Sequence, residues 1–183
     1  MRVLAPLLLV LAAACATSGS DPVRVRATRP PSIQASGSTV DVNISHERAI
    51  VTEAIRATPE VVWGALRKAY ADLGIEVTEA SDASRVLGNP RLMVSRRLAG
   101  APLSRYLECG AGLTGPFADR YRIEMLIRSA IVPGEGGGAR VDTYVEAVAR
   151  NPEGTSNTAV ACGSTQRLER EIAARVRFHA EGG

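Results

Sequence analysis

The sequence RYRIEMLIRSAI, from Arg120 to Ile131, decides the fold because apolar and polar side chains alternate along it. A second stretch with the same alternation runs from Arg140 to Ala149. Alternation with a period of two residues is typical of a strand with one buried face and one face in water, as in antiparallel sheets. The glycine-rich segment from Pro133 to Gly138 lies between the two stretches and predicts a hairpin loop.

Two amphipathic helices are predicted on either side of this hairpin. Thr58, Pro59 and Glu60 form a strong helix start, and apolar residues then recur at helical spacing. We therefore expect a helix over Pro59–Leu73. The same spacing predicts a last helix over Gln166–His179, which Ser164 or Thr165 would cap.

Shorter apolar runs predict the remaining strands of the sheet. These strands are expected at Val40–Ile44, Ala49–Ile55, Ile75–Thr78, Arg85–Gly88, Arg91–Arg96, Tyr106–Cys109 and Thr158–Cys162. Two helices packed on one face of an antiparallel sheet would bury the apolar surfaces of all three elements. The predicted fold is therefore α+β and helix-grip-like, in a single domain over residues 39–180.

The first fifteen residues resemble a bacterial lipoprotein signal peptide. An apolar run from Val3 to Ala14 follows the positive start and contains no charge. Twelve helical residues span about 18 Å, well short of a hydrocarbon core of roughly 30 Å, so the run predicts a signal peptide rather than a membrane anchor. Cys15 completes a segment similar to a lipobox. This resemblance implies that Cys15 carries the lipid, such as palmitate, and that the protein is anchored to the cell envelope, at the outer membrane of a two-membrane bacterium.

Secretion without a lipid is the alternative for this segment. Ala12 stands three residues before Cys15, where lipoboxes usually have leucine, and cleavage after Ala14 or Ala16 would leave a soluble secreted protein. Residues 16–38 are rich in Ser, Thr, Pro and Gly and predict a flexible linker in either case.

The cysteines support an exported protein. Three are present, and lipidation of Cys15 would leave Cys109 and Cys162 as a pair. Such a pair normally forms a disulfide in an oxidising compartment. The bridge is expected to tie the last helix to the sheet, and a reactive thiol at either position is the alternative.

The sequence gives little support for catalysis. The formal charge of +3 over 183 residues is too small to indicate a nucleic-acid partner. No metal-ligand spacing, phosphate loop or nucleophile-elbow motif is present. Ser164, His179 and Asp142 could be imagined as a triad, but only their presence supports it. We therefore predict no enzymatic activity, no metal and no cofactor.

Two segments are candidates for recognition. The loop between Ser95 and Tyr106 combines arginines with apolar residues, which is typical of recognition surfaces, although a solvated loop is the alternative. Its candidate interaction residues are Arg96, Arg97, Arg105 and Tyr106. The second segment is Cys109–Tyr121, in which Phe117 and Asp119 could rim a groove between helix and sheet.

The order of elements from about Val40 to His179 resembles the soluble domains of BamC-type outer-membrane assembly lipoproteins. Those proteins carry two such domains, whereas this chain has one. The resemblance implies a non-catalytic accessory module that binds another envelope protein, of unknown identity, and that is held at the membrane by the lipid on Cys15. The alternative is a binding protein for a lipid or another apolar ligand, held between the last helix and the sheet above the small residues Ala147 and Ala149.

Overall fold

The computed structural model of the protein describes residues 49–152 and 159–182. The predicted signal peptide with Cys15, the linker over residues 16–38 and the predicted strand over Val40–Ile44 lie outside the described residues, as does most of the turn predicted after Asn151. Within them, a large antiparallel sheet packs against two helices. The α+β class with two helices and an antiparallel sheet is thereby confirmed.

Seven strands of the described residues form the main sheet. They are β1 (Val51–Ile55), β2 (Glu79–Ser81), β3 (Val86–Ser95), β4 (Leu107–Glu108), β5 (Arg122–Pro133), β6 (Ala139–Arg150) and β7 (Ala159–Ser164). Neighbours pair antiparallel in the order β2-β3-β5-β6-β7-β4. Strand β1 also pairs with β6, along the edge that β6 shares with β7.

The hairpin of β5 and β6 is the longest ladder in the sheet. Each residue of β5 has a partner in β6, from Arg122 opposite Arg150 to Pro133 opposite Ala139. Buried and partly exposed side chains alternate along both strands, as the sequence predicts. The buried side chains of both strands lie on one face of the sheet.

The helices are α1 (Pro59–Asp72) and α2 (Arg167–Glu181), close to the predicted bounds. They pack against each other, and both contact the strands of the hairpin. Gly74, at a φ of 65°, ends α1 by turning the chain. Neither helix in the described part of the chain has the length and the apolar character needed to cross a membrane.

A chain of three buried hydroxyl groups joins α1 to the centre of the sheet. The Tyr70 hydroxyl lies 2.9 Å from Ser129 Oγ, and Ser129 Oγ lies 2.8 Å from Thr143 Oγ1. Ser129 and Thr143 are opposite each other on β5 and β6. Burial raises the pKa of Tyr70 well above its ordinary value, because the charged phenolate would lose its hydration.

The region after α1 differs from the prediction. Ile75–Thr78 is not a strand, and the chain joins the sheet only at β2. The reason is visible at Asn89, which is buried and whose side-chain amide donates to the Glu76 carbonyl at 2.9 Å. This side chain takes the place of a backbone ladder beside Pro90, which has no N–H to donate.

Strand β3 combines two predicted strands into one. A bulge between Asn89 and Leu92 accommodates Pro90 and keeps β3 paired with β5 on both sides of it. Arg85 and Arg96, which were predicted within these strands, flank β3 instead. Both have left-handed φ angles, of 50° and 66°, and these turn the chain out of the sheet.

The start of α2 also differs from the prediction. Gln166, rather than Ser164 or Thr165, occupies the N-cap position, with a φ of 62°. Ser164 Oγ nevertheless accepts from the backbone N–H of Gln166 at 2.9 Å and donates to Glu169 Oε1 at 2.6 Å. The serine therefore braces the first turn from two residues upstream of the cap.

Cys109 and Cys162 form a disulfide, in agreement with the predicted pairing. Cys162 lies in β7 and Cys109 directly follows β4, so the bridge extends the pairing of these two strands. The bridge therefore joins β7 to the residue that follows β4, and both belong to the sheet region. The prediction had the bridge joining the last helix to the sheet.

We predict that Cys109→Ser with Cys162→Ser lowers the free energy of unfolding by about 4 kcal/mol, because the bridge closes a loop with a sequence separation of 53. Urea unfolding of the full chain, in a Cys15→Ser background that removes the third thiol, measures the change. The protein that keeps both cysteines but is reduced should have the same urea midpoint as the double variant. Equal midpoints for oxidised protein and the variant would contradict the prediction.

Candidate functional site

Residues 96–121 connect β3 to β5 and are here called the crossover, because they travel from one side of the sheet to strand β4 on the other. The crossover contains two short two-stranded ribbons and two single 3₁₀ turns. Leu98, Leu103 and Tyr106 of this segment are buried and belong to the same core as the helices and the sheet. The crossover is therefore a packed part of the domain and not a solvated loop.

Hydrogen bonds fix the first half of the crossover in place. The N–H of Leu103 donates to the Arg96 carbonyl at 3.0 Å and closes a tight turn. Asp119 accepts from the backbone N–H of Ser104 at 2.8 Å and from its hydroxyl at 2.6 Å. These bonds join the two 3₁₀ turns, so both move as one unit.

The crossover is also bonded to the start of α2. The N–H of Thr165 donates to the Tyr106 carbonyl at 2.9 Å, and its hydroxyl donates to the Arg105 carbonyl at 2.8 Å. The Tyr106 hydroxyl donates to Glu171 Oε2 at 2.9 Å. Burial, together with the bond to Glu171, raises the pKa of Tyr106.

Of the four candidate interaction residues, the structure places three at the surface. Arg96, Arg97 and Arg105 are exposed, whereas Tyr106 is only 1% exposed. Tyr106 was predicted to be an interaction residue, and this prediction is wrong for its side chain. The ring is buried in the core, and the hydroxyl donates a hydrogen bond to Glu171. The two leucines of the loop, Leu98 and Leu103, are also buried rather than exposed.

The three surface arginines have no acidic partner among the described residues. Arg97 donates to the Gly100 carbonyl within its own turn, and Arg105 lies at 6.0 Å from the Tyr106 ring. Eight other arginines of the described ranges form ion pairs with carboxylates: Arg67, Arg85, Arg91, Arg128, Arg140, Arg150, Arg175 and Arg177. Four arginines without a carboxylate partner among the described residues lie on the crossover, namely Arg96, Arg97, Arg105 and Arg120, and others, such as Arg56 and Arg167, lie outside it.

Sequence reasoning missed two further arginines beside this surface. Arg167 and Arg170 are exposed on the first turn of α2, directly after Thr165, which is bonded to the crossover. Neither forms an ion pair within the described residues. About sixty positions separate them from Arg105 in the sequence, so no local pattern could have brought them together.

In the second candidate segment, Cys109–Tyr121, the structure places Phe117 and Asp119 in contacts within the crossover. Asp119 is engaged by Ser104, as described above. Phe117 stacks on Tyr121 with their ring centroids 4.7 Å apart, and it lies beneath Gly110 and Gly112. Both side chains therefore brace the crossover from within.

Ser164, Asp142 and His179, which were considered as a triad, are each hydrogen-bonded to a different residue outside that set. Ser164 bonds to Glu169, Asp142 accepts from Thr52 at 2.9 Å, and His179 Nε2 lies 2.7 Å from Asp72. The structure does not bring these three side chains together. The described residues also contain no group of His, Cys, Asp or Glu side chains arranged to hold a metal ion.

A buried carboxylate supports the contact between α2 and the sheet. Glu169 is fully buried, and only its Oε1 is bonded, to Ser164. Burial raises the pKa of Glu169 and outweighs the bond from Ser164, which lowers it. The ionised form is consequently disfavoured by folding.

We predict that Glu169→Gln makes the domain more stable relative to the unsubstituted protein as the pH rises from 4 to 7.5. The pKa of Glu169 is higher in the folded state than in the unfolded state. Its contribution to the free energy of unfolding is therefore complete below the unfolded-state pKa and is lost as the pH rises through the folded-state pKa. Urea unfolding at both pH values measures the difference. Glu135→Gln, in the exposed hairpin loop, is the control. A difference between the proteins that does not change with pH would contradict the prediction.

Comparison with known proteins assigns no family to the chain. The sequence matches no protein-family model and no curated protein.

Proposed function

We propose that the chain is a non-catalytic envelope lipoprotein whose domain binds another envelope protein through the exposed arginines of the crossover. The observation that carries the proposal is the set of unpaired guanidinium groups at Arg96, Arg97 and Arg105, held on a segment that is packed into the core. Most other described arginines, by contrast, already have a carboxylate.

The physical argument rests on preorganisation. Arginine binds carboxylates with two parallel hydrogen bonds, and a fixed backbone loses less entropy when a partner docks. The left-handed φ of Arg96 and the bond from Leu103 to its carbonyl set the direction of this part of the loop. The backbone position of Arg105 is fixed by the hydrogen bond that its carbonyl accepts from the Thr165 hydroxyl.

The anchoring part of the proposal comes from the N-terminal sequence. The lipobox-like segment ending at Cys15 would attach the chain to the envelope, at the outer membrane facing the periplasm where the cell has two membranes. Residues 16–38 would then separate the lipid from a single domain over residues 39–180. Two helices on one face of an antiparallel sheet agree with the helix-grip architecture of BamC-type lipoprotein domains, so the likeness supports an accessory role by analogy alone.

The alternative, an apolar ligand between α2 and the sheet, gains no specific support. The apolar stripe of α2 is buried by its own core contacts. A shallow cleft is lined by Asp72, Glu171, Ala174, Arg175 and Phe178, and so lies between α1 and α2, away from Ala147 and Ala149.

We predict that Arg96→Ser, Arg97→Ser and Arg105→Ser together reduce partner capture about tenfold, which corresponds to the loss of one or two charge-assisted contacts. The thermal unfolding midpoint should change by no more than about 2 °C, since these side chains are exposed and form no ion pair with any residue in the described ranges. The measurement is in-cell crosslinking of the tagged full-length chain followed by mass spectrometry.

The matched control for this experiment removes the same charge elsewhere. Arg67→Ser, Arg140→Ser and Arg177→Ser lie on α1, β6 and α2, outside the crossover, and their ion pairs are partly exposed. This control should capture the partner normally. Equal loss of capture in both triple variants, or a loss of capture that follows a loss of stability, would argue against a crossover surface.

We also predict that Cys15→Ser abolishes labelling of the chain by palmitate and releases it from the membrane fraction. Cys109 and Cys162 are joined to each other and offer no thiol for acylation. Metabolic labelling and fractionation of the same cells measure both effects. Labelling retained in the variant would refute lipidation at Cys15.

A further inference from the structure

A small hairpin in the crossover carries a fully exposed leucine. Ala111–Gly112 pairs with Gly115–Pro116, and Leu113 and Thr114 form its tip. Leu113 has 108% of its reference exposure, so its side chain contacts almost nothing in the domain. The other large apolar side chains exposed in the described ranges, at Val61, Val77, Met93 and Phe178, are all between 38% and 61% exposed.

The hairpin is held rigidly although its tip is bare. The disulfide between Cys109 and Cys162 fixes its base to β7. The Phe117 ring supports it from below, and a Cβ at Gly112 would come within 3.0 Å of that ring. The N–H of Phe117 also donates to the Gly110 carbonyl at 3.0 Å, which closes the base of the hairpin.

One arginine contacts this tip, and a second lies on a turn packed against the neighbouring segment. Arg120 donates to the Thr114 carbonyl at 3.3 Å, next to Leu113. Arg105 lies on the 3₁₀ turn that packs against the turn preceding Arg120. Of the two acidic residues in the crossover, Asp119 is engaged by Ser104, and Glu108 lies in β4 and is exposed.

We propose that this hairpin inserts into the surface of a phospholipid bilayer, with Leu113 entering the boundary between headgroups and acyl chains and Arg105 and Arg120 contacting lipid phosphates. An apolar side chain on a rigid tip gains free energy by leaving water, and neighbouring arginines add attraction to anionic headgroups. A bilayer surface supplies both partners at once, an apolar region for Leu113 and phosphates for the arginines. The proposal concerns a different partner from the proposed function and does not depend on it.

The test measures where the tip lies. A tryptophan is introduced by Leu113→Trp into the full chain carrying Trp63→Phe, which removes the original indole, and Cys15→Ser, which removes the lipid. The probe is vesicles of phosphatidylcholine and phosphatidylglycerol, with or without acyl chains brominated close to the headgroup. We expect the indole at position 113 to be quenched by the brominated lipid and its emission to shift to shorter wavelength.

The position control is Phe178→Trp in the same background, because Phe178 is exposed on α2, at a distance in the fold from the hairpin. Its indole should be neither quenched nor shifted. Any binding through the N-terminal residues is shared by both proteins and cannot produce this difference. An indole at position 113 that stays unquenched, or equal quenching at both positions, would overturn the proposal.

The role of the arginines is tested in the Leu113→Trp protein. Arg105→Ser with Arg120→Ser should raise the lipid concentration for half-maximal quenching about tenfold. Arg56→Ser with Lys68→Ser removes the same charge from exposed positions on the other side of the domain and should leave that concentration nearly unchanged. Equal effects of the two pairs would show a general charge effect and overturn phosphate contact by Arg105 and Arg120.

Discussion

The ladder between β5 and β6 is the constraint on which the rest of the domain depends. Because every residue of β5 is paired with β6, the buried side chains of both strands lie on one face along their whole length. That face must be covered. The helices cover part of it, and Tyr70 fixes α1 by reaching the hydroxyl groups of Ser129 and Thr143. A buried hydroxyl chain tolerates few other arrangements, since each member would lose its partner.

The crossover supplies further cover for the core, and this explains its character. With two helices and few aromatic residues, the domain draws Leu98, Leu103 and Tyr106 inward from a connection that would otherwise be a surface loop. The polar residues between them are left outside. There the Ser104 N–H donates to Asp119, and the Thr165 hydroxyl donates to the Arg105 carbonyl, and both bonds hold the backbone. Core packing thus explains why Arg96, Arg97 and Arg105 lie at the surface of the crossover, and why the backbone that carries them is held in place.

Periodicity in the sequence was sufficient for the elements that follow one repeating pattern. It located the β5–β6 hairpin and both helices within a few residues. It was insufficient where a single side chain replaces a backbone bond, as Asn89 does near Glu76, or where a non-glycine residue adopts a left-handed turn, as Arg96 does. The burial of Tyr106 depends on Glu171, which is distant in sequence, so local reasoning placed the ring at the surface.

The two proposed surfaces also constrain each other, because both lie on the crossover and Arg105 belongs to each. A single leucine with two arginines would bind a bilayer only weakly, as one short anchor does. A lipid on Cys15 with a linker over residues 16–38, averaging about 25–30 Å, would keep the hairpin at high effective concentration near the membrane. The hairpin would then orient the domain rather than recruit it. Arg105 would then be occupied by lipid phosphates, which would leave Arg96 and Arg97 for a protein partner.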